Sequence, residues 1–263
     1  NHLQNKKIDI LVCISWQRTI PEWLIKMPKI ACVGSHGGHQ GMYLSRGRSP
    51  MNWTILAGEK YFIISLFKII KNDADSGPEI FRQKIEISLT DDINDIYFKC
   101  HLALSQMFTK FLKNTKNINL KKYKGPYRFL PKMTSAEGFV DWTRSKIDVY
   151  NFIRSKTFPY RSAFTYLNKK LLEIKSAQLI NTNFYHKYRC GEIVLILNDK
   201  RLLVSVKKGF LAIEIYEKNV ANMKEGQILK SVNFRKQMKT IIDRHYKTNP
   251  KQKLNNMILR LTK

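Results

Sequence analysis

Apolar positions along the chain follow two regimes. Through about residue 112, short unbroken apolar runs alternate with amphipathic stretches, and from about residue 163 the period drops to two. Residues 8–15 (IDILVCIS) and 29–33 (KIACV) carry the unbroken pattern of strands buried on both faces of a parallel sheet. Residues 20–24 read as a turn or helix start with an early proline. Residues 51–57 (MNWTILA) read as a helix entered through Pro50, and 61–70 (YFIISLFKII) as a further strand. Thr90-Asp91-Asp92 is a helix start with acids in its first turn. That helix is expected to run to about Leu112, with Ile93, Ile96, Tyr97, Leu104, Phe108 and Leu112 on its apolar face.

Residues 113–128 are polar, basic and broken by Gly125-Pro126, the signature of a linker. Residues 145–157 (SKIDVYNFIRSKT) then predict a helix with Ile147, Tyr150 and Ile153 on one face. Short strands follow at 164–167, 170–179, 191–197, 201–206 and 210–216, separated by Asn, Asp, Lys and Gly turns. Strands at that spacing suggest a small barrel. From Lys230 onward ten basic residues, Lys263 among them, face one acid, Asp243, and 232–245 has the pattern of a basic amphipathic helix. There is no internal repeat.

A chain of 263 residues can bury one large core or two smaller ones. The net charge of +27 creates a positive field that favours polyanionic partners such as RNA, nucleotides or an anionic membrane surface. The lysines are spread rather than blocked, as they also would be in a lysine- and asparagine-rich proteome. Cys13, Cys32, Cys100 and Cys190 form no CxxC pair; Cys13 and Cys32 sit in apolar runs as small hydrophobes, which fits a reducing compartment. No stretch reaches the length of a membrane span and no signal peptide opens the chain, so the expected location is cytoplasmic, without membrane insertion. The first residue is not methionine, which suggests a fragment or processed product.

Candidate chemistry concentrates between Gly34 and Gly77. His36 follows an apolar run and Asp75 sits in a glycine turn after another, so adjacent parallel strands would bring both to one edge. A carboxylate beside an imidazole orients it and supports proton transfer, worth about 10²–10⁴ in rate. The plainer alternative is a loop-capping histidine and a turn aspartate. Cys32, His36 and His39 lack a standard zinc spacing and a fourth ligand, so no metal is expected. The glycine-rich loop matches neither G-x-G-x-x-G nor a P-loop. Arg46 and Arg48 suit a phosphate or a substrate carboxylate, or a solvated turn.

Three ordered pieces, His36, then Arg46-Gly47-Arg48-Ser49-Pro50-Met51-Asn52-Trp53, then Asp75-Ser76-Gly77-Pro78, resemble the formyltransferase family that uses 10-formyltetrahydrofolate. A second block is similar to that family's junction with its C-terminal domain: Glu137-Gly138-Phe139-Val140-Asp141-Trp142, the 147–154 stretch and Pro159-Tyr160-Arg161-Ser162-Ala163-Phe164-Thr165. Gly191-Glu192-Ile193-Val194 resembles the opening of a barrel strand. The resemblance implies an α/β chain: an incomplete Rossmann-like catalytic domain lacking the family's first part (1–120), a linker (121–135), an OB-like barrel (136–230) and a basic tail (231–263). It implies His36 as oxyanion stabiliser or proton relay, with Asp75 holding it and accepting a proton. Arg46, Gly47, Arg48 and Asn52 fall on the substrate side. Ser15, Trp16, Gly34 and Ser35 fall on the side of the co-substrate, 10-formyltetrahydrofolate. Gly34 stands where the family often has asparagine, and Arg161-Ser162 where it usually has proline-glycine. The expected acceptor is methionyl-tRNA, on charge; the alternatives are a nucleotide-linked amino sugar, or an inactive RNA-binding remnant.

Overall fold

The computed structural model describes residues 7–16, 18–70, 73–116, 120–181, 187–199, 201–216 and 223–262. Asn72 of the second glycine turn, the polar opening of the chain and Lys263 of the tail lie outside the described residues.

The N-terminal half runs β1 (Ile10–Cys13), α1 (Glu22–Lys26), β2 (Ala31–Gly38), β3 (Arg46–Gly47), α2 (Pro50–Leu56), β4 (Tyr61–Lys68), β5 (Glu79–Glu86) and α3 (Ile93–Lys113). Its sheet has the order β1-β2-β4-β5. Only β1 and β2 pair in parallel; β2 with β4, and β4 with β5, are antiparallel. The expectation of parallel strands meeting at His36 and Asp75 is therefore corrected. The unbroken apolar run of β4 reflects burial on both faces, which parallel pairing is not needed to explain. Ile64 and Leu66 join the core under α3, and Phe67 joins Met42 and Tyr43 in a separate cluster.

His36 is also corrected: it lies inside β2, not beyond it. Glycines suggested a loop here, yet they extend the strand. A Cβ at Gly37 would stand 2.3 Å from the Ile63 carbonyl oxygen, so only glycine lets β4 approach. β5 went unseen in the sequence because Arg82, Gln83 and Lys84 interrupt its apolar pattern at the open edge of the sheet.

Asp92 caps α3 through Asn94 N and Asp95 N, and Asp95 returns the bond to complete a capping box. The buried stripe is Ile93, Ile96, Cys100, Ala103, Leu104, Met107 and Phe111. Leu112, expected on that face, is 51% exposed because it lies one position off the repeat.

β6 (Phe129–Leu130) pairs with β3, so residues of the expected linker close onto the Arg-Gly turn. α4 (Lys146–Arg154) is capped by Ser145 and buries Val149, Tyr150, Phe152 and Ile153, while Ile147 is 41% exposed and stands off the buried face. The next strands are β7 (Phe164–Leu167), β8 (Lys170–Leu179), β9 (Ile193–Ile196), β10 (Leu202–Val206) and β11 (Gly209–Ile215). They form one antiparallel sheet in the order β7-β8-β11-β10-β9. Bulges near Leu203 and Glu214 help curl it into a half barrel.

The basic C-terminal stretch folds as α5 (Phe234–Thr248) and α6 (Asn256–Arg260). Phe234, Met238, Ile241, Met257 and Ile258 join the same core as the barrel residues. Trp53 and Leu56 of α2 enter that core too, while Ile55 enters the core under α3. One short helix thus links the two halves.

Candidate active site

His36 shares a cross-strand pair with Ser65 of β4. Its Nε2 lies 2.8 Å from the Ser45 carbonyl oxygen, which only accepts, so Nε2 carries a proton. Nδ1 then faces Asp75, with 3.7 Å to Oδ1. The carboxyl facing Nδ1 can orient the ring, and the two side chains stand where together they could move a proton at a reacting group.

Antiparallel pairing sends the end of β4 away from His36, so the connection to β5 must fold back to deliver Asp75. Three side chains, those of Arg46, Tyr43 and Ser76, hold it there. Arg46, almost wholly buried, bonds Asp73 and the Ala74 carbonyl, and its guanidinium lies over the rings of Tyr127 and Phe129. Tyr43 donates to the Gly77 carbonyl at 2.9 Å and accepts from Glu79 N at 3.1 Å. Ser76 Oγ donates to the Asp73 carbonyl at 2.8 Å. Asp75 itself has φ of 56°, a left-handed conformation that aspartate tolerates better than most residues. Ser65 Oγ donates to buried Glu79 at 2.6 Å, extending this polar face. Tyr43, Ser65, Asp73 and Glu79 were not singled out as site residues by the sequence, although Asp73 and Glu79 flank the Asp75 motif and Tyr43 lies three residues before Arg46.

The first-strand candidates approach the same place. Parallel pairing of β1 and β2 runs out at Cys13 beside Gly34, from where Ser15-Trp16 and Ser35-His36 continue. Trp16 is 62% exposed. Cys13 and Cys32 lie 4.0 Å apart, sulfur to sulfur, and burial pushes the Cys32 thiol up to about 12. The possible metal trio does not converge: Cys32 meets Cys13, His36 meets Ser45 and Asp75, and His39 Nε2 lies 3.1 Å from Glu59.

The four substrate-side candidates separate. Arg46 braces the Asp75 loop. Gly47 has φ of 105°, and a Cβ there would stand 2.6 Å from the Leu130 carbonyl oxygen, so glycine is required for the β3–β6 approach. Gly47 and Arg48 face a cavity beneath α5. Asn52 is buried at the contact of α2 with α4, donating to the Ser155 carbonyl at 2.7 Å. It lines a cavity of about 210 Å³ with Ser49, Thr134, Lys156, Tyr160 and Arg161.

Lys156 has its ammonium sunk in this junction, 3.0 Å from Met133 Sδ. Burial lowers its pKa from 10.5 to about 8, opposed by the charge of Glu137. Between those values the folded chain binds fewer protons than the unfolded one, so stability rises with pH from 8 to 10.5. Below that window the buried ammonium costs about 3 kcal/mol. Lys156→Met is expected to raise stability at pH 7 by about 1–3 kcal/mol and to flatten that rise. Urea unfolding at pH 7, 9 and 10 checks it; an unchanged pH slope would count against a buried ammonium.

Comparison with known proteins identifies the family. The family model described as formyl transferase matches residues 1–112, and that described as formyl transferase, C-terminal domain, matches 132–233. The chain belongs to the formyltransferase family, a family of one-carbon transferases. It is 25% identical over 217 residues to methionyl-tRNA formyltransferase of Alkaliphilus oremlandii, covering 81% of this chain and 68% of that one. Its fold is similar to HypX from Aquifex aeolicus in complex with tetrahydrofolic acid, with a TM-score of 0.63 and 17% identity over 85% of this chain and 37% of that one. It is also similar to WlaRD, a sugar 3N-formyl transferase solved in the presence of dTDP and 5-N-formyl-THF, with a TM-score of 0.60 and 16% identity over 79% and 73% of the two chains. Among the described residues no group of three His, Cys, Asp or Glu side chains is disposed for a metal ion, and no helix is long and apolar enough to cross a membrane.

Proposed function

We propose that the chain transfers the formyl group of 10-formyltetrahydrofolate to an amine, and that the amine is that of methionyl-tRNA. The observation that carries the reading is His36 facing Asp75 across 3.7 Å on a loop braced by Arg46 and Tyr43. His36 stabilises negative charge developing on the formyl oxygen by turning its Nε2–H from the Ser45 carbonyl to that oxygen as the amine attacks the formyl carbon. Asp75 takes the amine proton, through His36 or directly, and the proton returns to the folate nitrogen as its bond to the formyl carbon breaks. Trp16, three residues past Cys13, the strand partner of Gly34, offers an exposed aromatic face suited to a pterin ring. Catalysis belongs to residues 1–120 and acceptor binding to the barrel of 136–230 and the helices after it.

The net charge of +27 supports an RNA acceptor, since phosphate contacts dominate nucleic-acid affinity. The likeness to a sugar formyltransferase supports a nucleotide-linked amino sugar as second reading. Calorimetry with 5-formyltetrahydrofolate tests the first step. Binding near one equivalent is expected, and its absence would remove the formyl donor from the reading. Turnover assays with methionyl-tRNA and with nucleotide amino sugars then separate the acceptors.

A further inference from the structure

Beyond residue 233, where the second family match ends, the chain returns to the reactive centre's own loop. Leu254 forms a parallel bridge with Phe129 of β6. The Phe129 amide donates to the Lys253 carbonyl at 3.0 Å, and the Asn255 amide donates to the Phe129 carbonyl at 2.9 Å. β6 in turn pairs with β3, so residues 253–255 are laid on the strand that holds the Arg-Gly turn. Asn255 is 1% exposed and uses both ends of its side-chain amide. Its Oδ1 accepts from Met257 N at 2.7 Å and caps α6. Its Nδ2 donates to the Leu44 carbonyl and lies 3.4 Å from Gln40 Oε1.

The geometry points to Asn255 as a positioning residue for formyl transfer, one that aims the Ser45 carbonyl at His36 through the backbone between β2 and β3. That carbonyl accepts from His36 Nε2 at 2.8 Å. Peptide groups are planar, so its direction is set by the two peptide planes that meet at Ser45. The plane after Ser45 is pinned by the Arg46 amide, which donates to the Arg128 carbonyl at 3.0 Å. The plane before it is pinned at both edges. The Ser45 amide donates to the Met42 carbonyl at 3.1 Å, and Asn255 donates to the Leu44 carbonyl. Asn255 supplies the side-chain member of this set, and the other two bonds run from backbone to backbone. The loop also has no slack toward β2. Ser45 is fully buried, and a Cβ at Gly38 would stand 2.1 Å from the Ser45 side chain. With the carbonyl fixed, the ring presents Nδ1 to Asp75 before any donor arrives, which spares reorientation during the reaction.

The bearing of Asn255 on rate rests on the proposed formyl transfer, so the test pairs a rate with a readout that needs no substrate. A buried imidazole N–H held by a carbonyl exchanges slowly with water and gives a downfield proton resonance, which its loss in His36→Ala assigns. Asn255→Ser keeps a capping oxygen and loses the Nδ2 donor. Asn255→Asp keeps the shape and the cap and loses the same donor. Ile258→Val loosens the packing of α6 in the core and leaves the donor in place. Thermal melts confirm that each variant is folded. In both Asn255 variants the resonance is expected to move upfield or vanish into exchange. The kcat should fall by about tenfold while KM for the donor stays within about twofold. Ile258→Val should melt lower and keep the parental resonance and kcat. A parental resonance in a folded Asn255 variant overturns the inference, as does absence of the resonance from the parent chain. So does a parental kcat beside a displaced resonance, or an equal change in Ile258→Val, which would mark general loosening of the C-terminal helices. If the parent chain transfers no formyl group, the proposed function falls, and the resonance alone decides whether Asn255 aims the ring.

Discussion

Replacement of His36 by alanine is expected to lower formyl transfer by about 10²–10⁴ while the thermal unfolding transition stays within a few degrees of the parent. The side chain makes one hydrogen bond, to the Ser45 carbonyl, and one contact with Asp75. Its loss removes little packing, because glycines flank it on the strand and its cross-strand partner is a serine. Asp75→Asn is the sharper version. It keeps the shape of the loop but removes the carboxyl that holds or accepts the proton, so the fall in rate should approach that of His36→Ala. The double variant should be little worse than either single one, since the two side chains act as a unit. Steady-state rates at saturating donor, compared with melts of the same proteins, decide the matter. Near-parental rates in either single variant would remove that residue from the mechanism.

Gly77→Ala is expected to disable the same centre without touching either reacting side chain. A Cβ at Gly77 would stand 1.7 Å from the Lys68 carbonyl oxygen and 2.9 Å from its carbon. Both are backbone atoms of β4, so no side-chain rotation relieves the clash. Either β4 shifts, or the loop carrying Asp75 does. The loop is the softer element, held by the Tyr43 and Arg46 contacts and by the Lys68 amide donating to the Pro78 carbonyl at 3.0 Å. The expected cost is about 1–3 kcal/mol in stability. Turnover should fall by at least about tenfold, because sub-ångström positioning of a proton-transfer pair is decisive. Unfolding and rate measurements on one preparation check both. A variant as active as the parent would mean that the Asp75 loop is free to move, contrary to the bracing described here.

The C-terminal strands were legible because their side chains alternate between a packed and an exposed face. The stretch 170–179 buries Leu172 and Ile174 at alternate positions and is β8. The start of α3 was legible from Asp92 and its partner Asp95, a local device that needs no tertiary context. His36 and Asp75 were singled out by their glycine-rich surroundings and by resemblance, and the structure brings them to 3.7 Å. The route differed from the expected one. Antiparallel β2 and β4 place Asp75 through a folded-back loop, not at a shared strand edge.

By itself the sequence determined most of the local elements, the two-part architecture and the family, and it singled out His36 and Asp75 as candidates. These depend on periodicity, capping and short ordered motifs, all of which are written over neighbouring positions. The tertiary structure alone decided strand direction, the bracing of Asp75 by Arg46 and Tyr43, and the reach of Asn255 to the Leu44 carbonyl. Each of those joins residues tens to about two hundred positions apart. Burial, charge and hydrogen bonding acquire meaning there only once distant segments share one space.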